Sequence, residues 1–195
     1  MKYIFDFDDV LFDAERFKEH IFSLLEKAGV SRERAEDYYS TMKGNELFSL
    51  KIFINHVFAF EGVDKDQDKM YEEIMSACPR FANIKLIEWV KRVGPENCYI
   101  VTFGDDVFQR EKIRRSGLDK FFSDNRVETV KESKRGGIEK ICNRAENKGE
   151  NFIFIDDKQH HFEDLRDVPN LTTWHYPDQF PDGIGKENIS EPKRK

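Results

Sequence analysis

Two stretches of this chain, YIVTF at 99–103 and FIFID at 152–156, are apolar on both of the faces that alternate along a strand. A strand with one apolar face can lie at a surface; one with two must be covered on both sides. Parallel sheets flanked by helices supply that cover. The runs NCYIVTF (97–103) and NFIFI (151–155), which contain these stretches, are joined by YIFDF (3–7), RVETV (126–130) and NLTTWHY (170–176). Helical patterns separate them. IKLIEWVKRVG (84–94) puts Leu86, Ile87, Val90 and Val93 on one face and stops at Gly94-Pro95. DVFQREKIRRSG (106–117) ends at Gly117, and KRGGIEKICNRAENKG (134–149) aligns Ile138, Ile141, Cys142 and Ala145. Strands alternating with helices imply right-handed crossovers and a doubly wound, Rossmann-like α/β sheet.

Residues 13–81 break the alternation, with no convincing strand. Asp13 is placed to cap a helix whose Phe17, Ile21, Leu24, Leu25 and Ala28 share a face before Gly29. Ser31 is expected to cap a second helix and Asn45 a third that runs to about Gly62. Asp64 and Gln67 suggest a capping box before Met70, Tyr71, Ile74 and Met75. The expectation is a helical insertion at 13–81 in a core made of 1–12 and 82–176, with a loose tail at 177–195.

The 195-residue length allows one domain, or a domain with a large insertion. Charged residues form 36% of the chain at a net charge of -6, with both signs interspersed, which argues against nucleic acid as the main partner. Cys78, Cys98 and Cys142 are scattered, so neither a disulfide framework nor a zinc site is expected, and free thiols fit a reducing cytoplasm. The N-terminal apolar run is broken by Asp6, unlike a signal peptide. The longest apolar stretch, residues 47–60, carries Lys51, Asn55 and His56 and is too short to span a bilayer. Oligomeric state is not legible.

Polar residues collect where the strands end. Asp6 and Asp8 close the first, Thr102 the second, Lys131 and Lys134 follow the third, and Asp156 and Asp157 close the fourth. Open α/β sheets bind ligands beyond their carboxyl ends. A carboxylate cluster is stable around a hard cation, and Mg²⁺ takes oxygen ligands. Asp6, Asp156 and Asp157 can offer side-chain oxygens, and Asp8 its carbonyl. Lys134 and the Thr102 hydroxyl suit phosphoryl oxygens. A carboxylate nucleophile and a second carboxyl as acid and base complete a set able to cleave a phosphate monoester.

These residues, DFDDV, Thr102, Lys134 and FIDD, resemble the four motifs of the haloacid dehalogenase superfamily of phosphohydrolases. The resemblance covers 1–12 and about 82–176. It implies Asp6 as nucleophile, Asp8 as acid/base, Thr102 and Lys134 on phosphate, and the acidic pair on Mg²⁺. It also implies a helical cap after the first motif, a mobile flap at DVLFD and a small phosphorylated substrate. The chain departs from the pattern at Asp9 and Val10, where Gly and Thr are usual, and at Arg135, where Pro often follows the lysine; Lys131 competes with Lys134. The second aspartate, Asp8, favours phosphate over carbon–halogen chemistry.

A receiver domain needs its acidic pair early in the chain, and only 39 residues follow Asp156. A glycosyltransferase Asp-x-Asp motif explains neither Thr102 nor Lys134. A phosphotransferase of the same family and a silent phosphate- or metal-binding module both keep every residue named. Lys43, Lys51, His56 and Arg80 are the candidates in the helical segment to meet a leaving group.

Overall fold

The computed structural model describes residues 1–45 and 47–179. Five parallel strands form one sheet: β1 (Lys2–Phe5), β2 (Cys98–Phe103), β3 (Val127–Val130), β4 (Phe152–Asp156) and β5 (Leu171–His175), in the order β3-β2-β1-β4-β5. The chain winds outward from β1 to β3, then returns to place β4 on the other side of β1. The carboxyl ends of β1 and β4 therefore flank a switch point, where open sheets form a crevice.

The alternation expected of buried strands is met residue by residue. Ile4, Tyr99, Val101, Phe152 and Phe154 enter one apolar cluster with Ile138 and Ile141 of α7 (Lys134–Cys142). Phe5, Cys98, Ile100, Ile153 and Ile155 enter a second cluster on the opposite face. There Trp89 of α5 (Ile84–Val93) meets Tyr3 and Phe5 edge-on, with ring centroids 4.6 and 5.8 Å apart. Between β2 and β3 runs α6 (Asp106–Arg115), capped by Asp105.

Residues 14–76 hold four helices: α1 (Ala14–Ala28), α2 (Arg32–Asn45), α3 (Leu50–Glu61) and α4 (Gln67–Ser76). Asp13 caps α1 as expected, its carboxylate accepting from the Arg16 N–H at 2.9 Å, and Ser31 takes the Arg34 N–H. Two expectations fail. Asn45 ends α2 and does not start α3, which begins at Leu50 because Leu50, Phe53, Ile54, Val57 and Phe58 form its buried face. The α4 cap is Asp66, which accepts from the Lys69 N–H, and not Asp64. The apolar interior of these helices is continuous with the sheet face carrying Phe5 and Ile155.

Two backbone features aim the polar ends. Asp9 adopts φ +62°, the left-handed region where Gly is usual and Asp is tolerated. Its Oδ1 accepts from the Ala14 and Glu15 N–H groups at 3.0 and 3.3 Å, so it also fixes the start of α1. Gly137 lets α7 press on the sheet: a Cβ there would lie 3.0 Å from Val130 Cγ1 and 3.1 Å from Val101 Cγ1.

Phe53 is fully buried and Phe60 on the same helix is 68% exposed. Phe53→Ala should cost about 3–5 kcal/mol and Phe60→Ala no more than about 0.5 kcal/mol in denaturant unfolding. Similar losses would contradict the packing of α3.

Candidate active site

Most buried polar side chains of the described residues gather at one end of the sheet: Asp6, Thr102, Gln109, Lys112, Lys134 and Asp156. Asp6 is the first residue past β1, and its N–H still joins the ladder at Ile155 O, 2.8 Å away. By alternation it shares the sheet face of Ile4, as Asp156 shares that of Phe154. That is the face covered by α7, and α7 brings Lys134.

The three side chains form one buried ion cluster. Lys134 Nζ lies 2.7 Å from Asp6 Oδ2 and 2.6 Å from Asp156 Oδ2. Asp6 Oδ1 accepts from the Phe7 N–H at 2.7 Å. Asp156 Oδ1 accepts from the Lys158 N–H at 2.8 Å, and His161 Nδ1 stands 2.8 Å from Oδ2. Lys134 is the first residue of α7, behind the Ser133 cap. Lys131 is exposed and outside the cluster.

The two carboxylates are driven apart electrostatically. Burial raises Asp6, and Asp156 and Asp8 raise it further; Lys134 opposes them, and the result is about 7. Burial would raise Asp156 as well, but His161 and Lys134 outweigh it and hold it at about 2. Asp157, half-buried, is raised by burial and by its neighbour Asp156, against Lys158. Its carbonyl oxygen accepts from His175 Nε2 at 2.9 Å.

Asp6 and Asp8, two apart, would share one side if the strand ran on, but Asp8 reaches the site by a different route. β1 ends at Phe5, and residues 7–12 form a tight turn in which Leu11 and Phe12 N–H groups bond Phe7 O. The turn delivers Asp8 to α6. There Lys112 Nζ is 2.5 Å from Asp8 Oδ1 and Gln109 Nε2 is 3.0 Å from Oδ2. Lys112 is buried among the Phe7, Phe12 and Phe108 rings, each centroid 5.1–5.3 Å from Nζ. Gly104 makes room for Gln109, since a Cβ would stand 2.7 Å from Nε2.

Thr102 Oγ1 and Asp157 Oδ1 are buried side-chain oxygens without a hydrogen-bond partner among the described residues. Such groups are costly unless a ligand completes them. An unpartnered carboxylate oxygen on Asp157, next in the chain to Asp156, is the kind of oxygen donor a hard divalent cation takes. Asp6, Asp156 and His161 also bring ligand atoms within 4.8 Å of one another.

Sequence reasoning missed Lys112, Gln109 and His161. Lys112 and Gln109 stand three apart on α6, so they face one direction, but only the fold shows that Asp8 lies there. His161 follows FIDD by four residues and gave no separate signal. Of the candidates in the helical segment, Lys51 lies over the Tyr71 ring, His56 packs on Tyr38 and Phe60, and Arg80 is exposed. None of the three lines the cavity above Asp6. The side chain of Lys43 lies outside the described residues.

No described helix is long and apolar enough to cross a membrane. Among solved structures, the chain is similar to a haloacid dehalogenase-like hydrolase of Burkholderia xenovorans LB400, at 20% identity and a TM-score of 0.66 over 97% of this chain and 87% of that one. It is also similar to the HAD-hydrolase YfnB of Bacillus subtilis bound to magnesium, at 16% identity and a TM-score of 0.51 over 92% of this chain and 88% of that one. These likenesses establish the fold. No curated protein sequence matches. The family model of haloacid dehalogenase-like hydrolases matches residues 3–160, and with that span the chain belongs to this family of hydrolases.

Proposed function

We propose that the protein is a Mg²⁺-dependent phosphatase that hydrolyses a small phosphate monoester through an aspartyl-phosphate on Asp6. The observation that carries this reading is the buried Asp6–Lys134–Asp156 cluster facing a cavity beside the unpartnered Thr102 hydroxyl. Asp6, Asp156 and Asp157 are assigned as cation ligands, with the Asp8 carbonyl; the cation would neutralise their charge and polarise the phosphoryl oxygens. The magnesium bound by YfnB supports that choice.

In the first half-reaction an Asp6 oxygen attacks phosphorus and the bond to the leaving oxygen breaks. The Asp8 carboxyl gives its proton to that oxygen. Lys134 and Thr102 hold phosphoryl oxygens while charge builds on them. In the second half, Asp8 takes a proton from water as the water oxygen attacks phosphorus and the bond to Asp6 breaks. Lys112 and Gln109 grip both Asp8 oxygens and set its direction.

The division into a core of 1–12 and 82–176 and a cap of 13–81 belongs to the same proposal. Phe17, Ile21, Tyr39, Leu47 and Phe48, all from 13–81, wall the cavity above Asp6. Movement of that segment would admit substrate and exclude water. The interdomain movement of YfnB supports it.

Asp6→Asn should abolish turnover of an aryl phosphate, because an amide does not replace the attacking carboxylate. Asp8→Asn should still transfer the phosphoryl from such a good leaving group, then stall, and intact mass after an acid quench should show a phosphorylated protein. Normal turnover by Asp6→Asn, or a phosphoryl mapped to Asp156 or Asp157, overturns the assignment. A wild type that neither turns over nor labels favours a binding module.

Lys134→Ala should lower kcat/KM by roughly 10²-fold or more, since it removes a fixed charge at the reacting group. Exposed Lys131→Ala should stay within about twofold. Equal losses would reverse the ranking of the two lysines.

Asp6 holds its proton more tightly in the fold than in the unfolded chain, so its contribution to stability is lost as pH rises through about 7. A cation binds the ionised form. Mg²⁺ should therefore raise the thermal midpoint more at about pH 8 than at about pH 6. A shift independent of pH would remove Asp6 from the ligand set.

A further inference from the structure

The cavity above Asp6 has a volume of about 240 Å³, below the roughly 300–1,000 Å³ of pockets for drug-sized ligands. Its floor is the polar set of Asp6, Thr102 and Lys134. Its upper wall is different in kind: Phe17 and Ile21 of α1, Tyr39 of α2, Leu47 and Phe48 before α3, and Phe108 of α6. The Tyr39 and Phe48 rings lie 4.8 Å apart, and those of Phe48 and Phe108 5.8 Å apart, so the wall is a joined aromatic surface.

The cations on the described lining all have acidic neighbours. The cations among the described lining residues are Lys112, Lys134 and Lys158. Lys112 is held by Asp8, and Lys134 by Asp6 and Asp156. Lys158 is paired more loosely, 3.9 Å from Asp157 with its side chain 45% exposed. Beyond these and their acidic partners, the lining carries the acids Asp9 and Glu15, and His161, whose Nδ1 lies 2.8 Å from Asp156 Oδ2. A leaving group with its own carboxylate or phosphate would meet, among the described lining residues, rings, acids and no cation without an acidic neighbour. A charged group moved from water to such a wall is strongly disfavoured, whereas an apolar ring gains by burial.

We infer that the substrate's leaving group is an uncharged, apolar alcohol or phenol of about one ring, seated against Phe48 and Phe108. This rests on the phosphatase reading for the placement of the phosphoryl group on the polar floor. Burial, with the nearby Asp8, Glu15 and Asp9, pushes the Tyr39 hydroxyl up to about 12, so the wall stays neutral across the working range.

Non-hydrolysable phosphonates test the wall without turnover. Phenylphosphonate and phosphonoacetate are titrated calorimetrically into the wild-type protein saturated with Mg²⁺. Phenylphosphonate should bind at least tenfold more tightly. Equal affinities, the reverse order, or no binding of either overturns the inference. Phe48→Ala, its fold verified by thermal midpoint, should narrow the ratio to about a third or less of the wild-type value, and an undiminished ratio removes Phe48 from the wall. The wild-type comparison decides even if that variant does not fold. If the phosphonate preference holds but no ester is hydrolysed, the apolar site stands and the phosphatase reading fails. If esters are hydrolysed but phosphonoacetate binds as well as phenylphosphonate, only the leaving-group class fails.

Discussion

A buried lysine between two buried carboxylates organises the site. Without Lys134, Asp6 and Asp156 would face each other across neighbouring strands with little solvent to separate their charges. With it, one ammonium is shared at 2.7 and 2.6 Å, and the carboxylates part in character, one raised and one depressed. Removing one member of a buried ionic group typically costs about 3–5 kcal/mol, because the charge left behind has no partner. The cluster therefore ties the position of α7 to the ends of β1 and β4. The close seat of Gly137 on Val101 and Val130 is the backbone counterpart of the same tie.

A second anchor, from α6, holds the other N-terminal acid. The turn after Phe5 takes Asp8 away from the strand path and hands it to Lys112 and Gln109. Asp9 spans the gap to α1, in a left-handed conformation that most residues avoid, with its carboxylate on the α1 N-terminus. Three consecutive structural units, β1, the turn and α1, are thus fixed by three aspartates with different partners. The apparent excess of negative charge in DFDD is met by α6 for Asp8 and by the nearby start of α1 for Asp9. Asp6 shares Lys134 with Asp156 and takes the Phe7 N–H.

β2 and β4 were legible because burial on both faces leaves an unbroken apolar run; the edge strands β3 and β5, only partly buried, were legible from their β-branched and aromatic residues, and all five runs became strands. Helix positions were legible where a cap and a periodic face agreed, as at Asp13, and at Ser31 from the cap alone. They failed between α2 and α4, where several capping residues stand close together. There the choice of Asp66 over Asp64, and of a start at Leu50, came from which apolar residues could reach the core. Asp6, Thr102, Lys134 and Asp156 were legible as strand-end residues. Lys51, His56 and Arg80 were not placed by the sequence, because a helix with mixed charges does not say which side faces a neighbour.

The order of strands and helices, the fold family and the polar residues at the sheet's carboxyl end were determined by the sequence, because each depends on short-range pattern or on strand alternation. Tertiary structure decided the partners. Lys134 rather than Lys131 enters the cluster because α7 starts at Lys134 and lies against the face carrying Asp6 and Asp156. Lys112, indistinguishable in sequence from the other cations of α6, becomes buried because that helix turns it toward Asp8 and three aromatic rings. The aromatic wall over Asp6 likewise joins residues from α1, α2, α6 and the segment before α3. Long-range packing alone brings them together, and no local pattern encodes it.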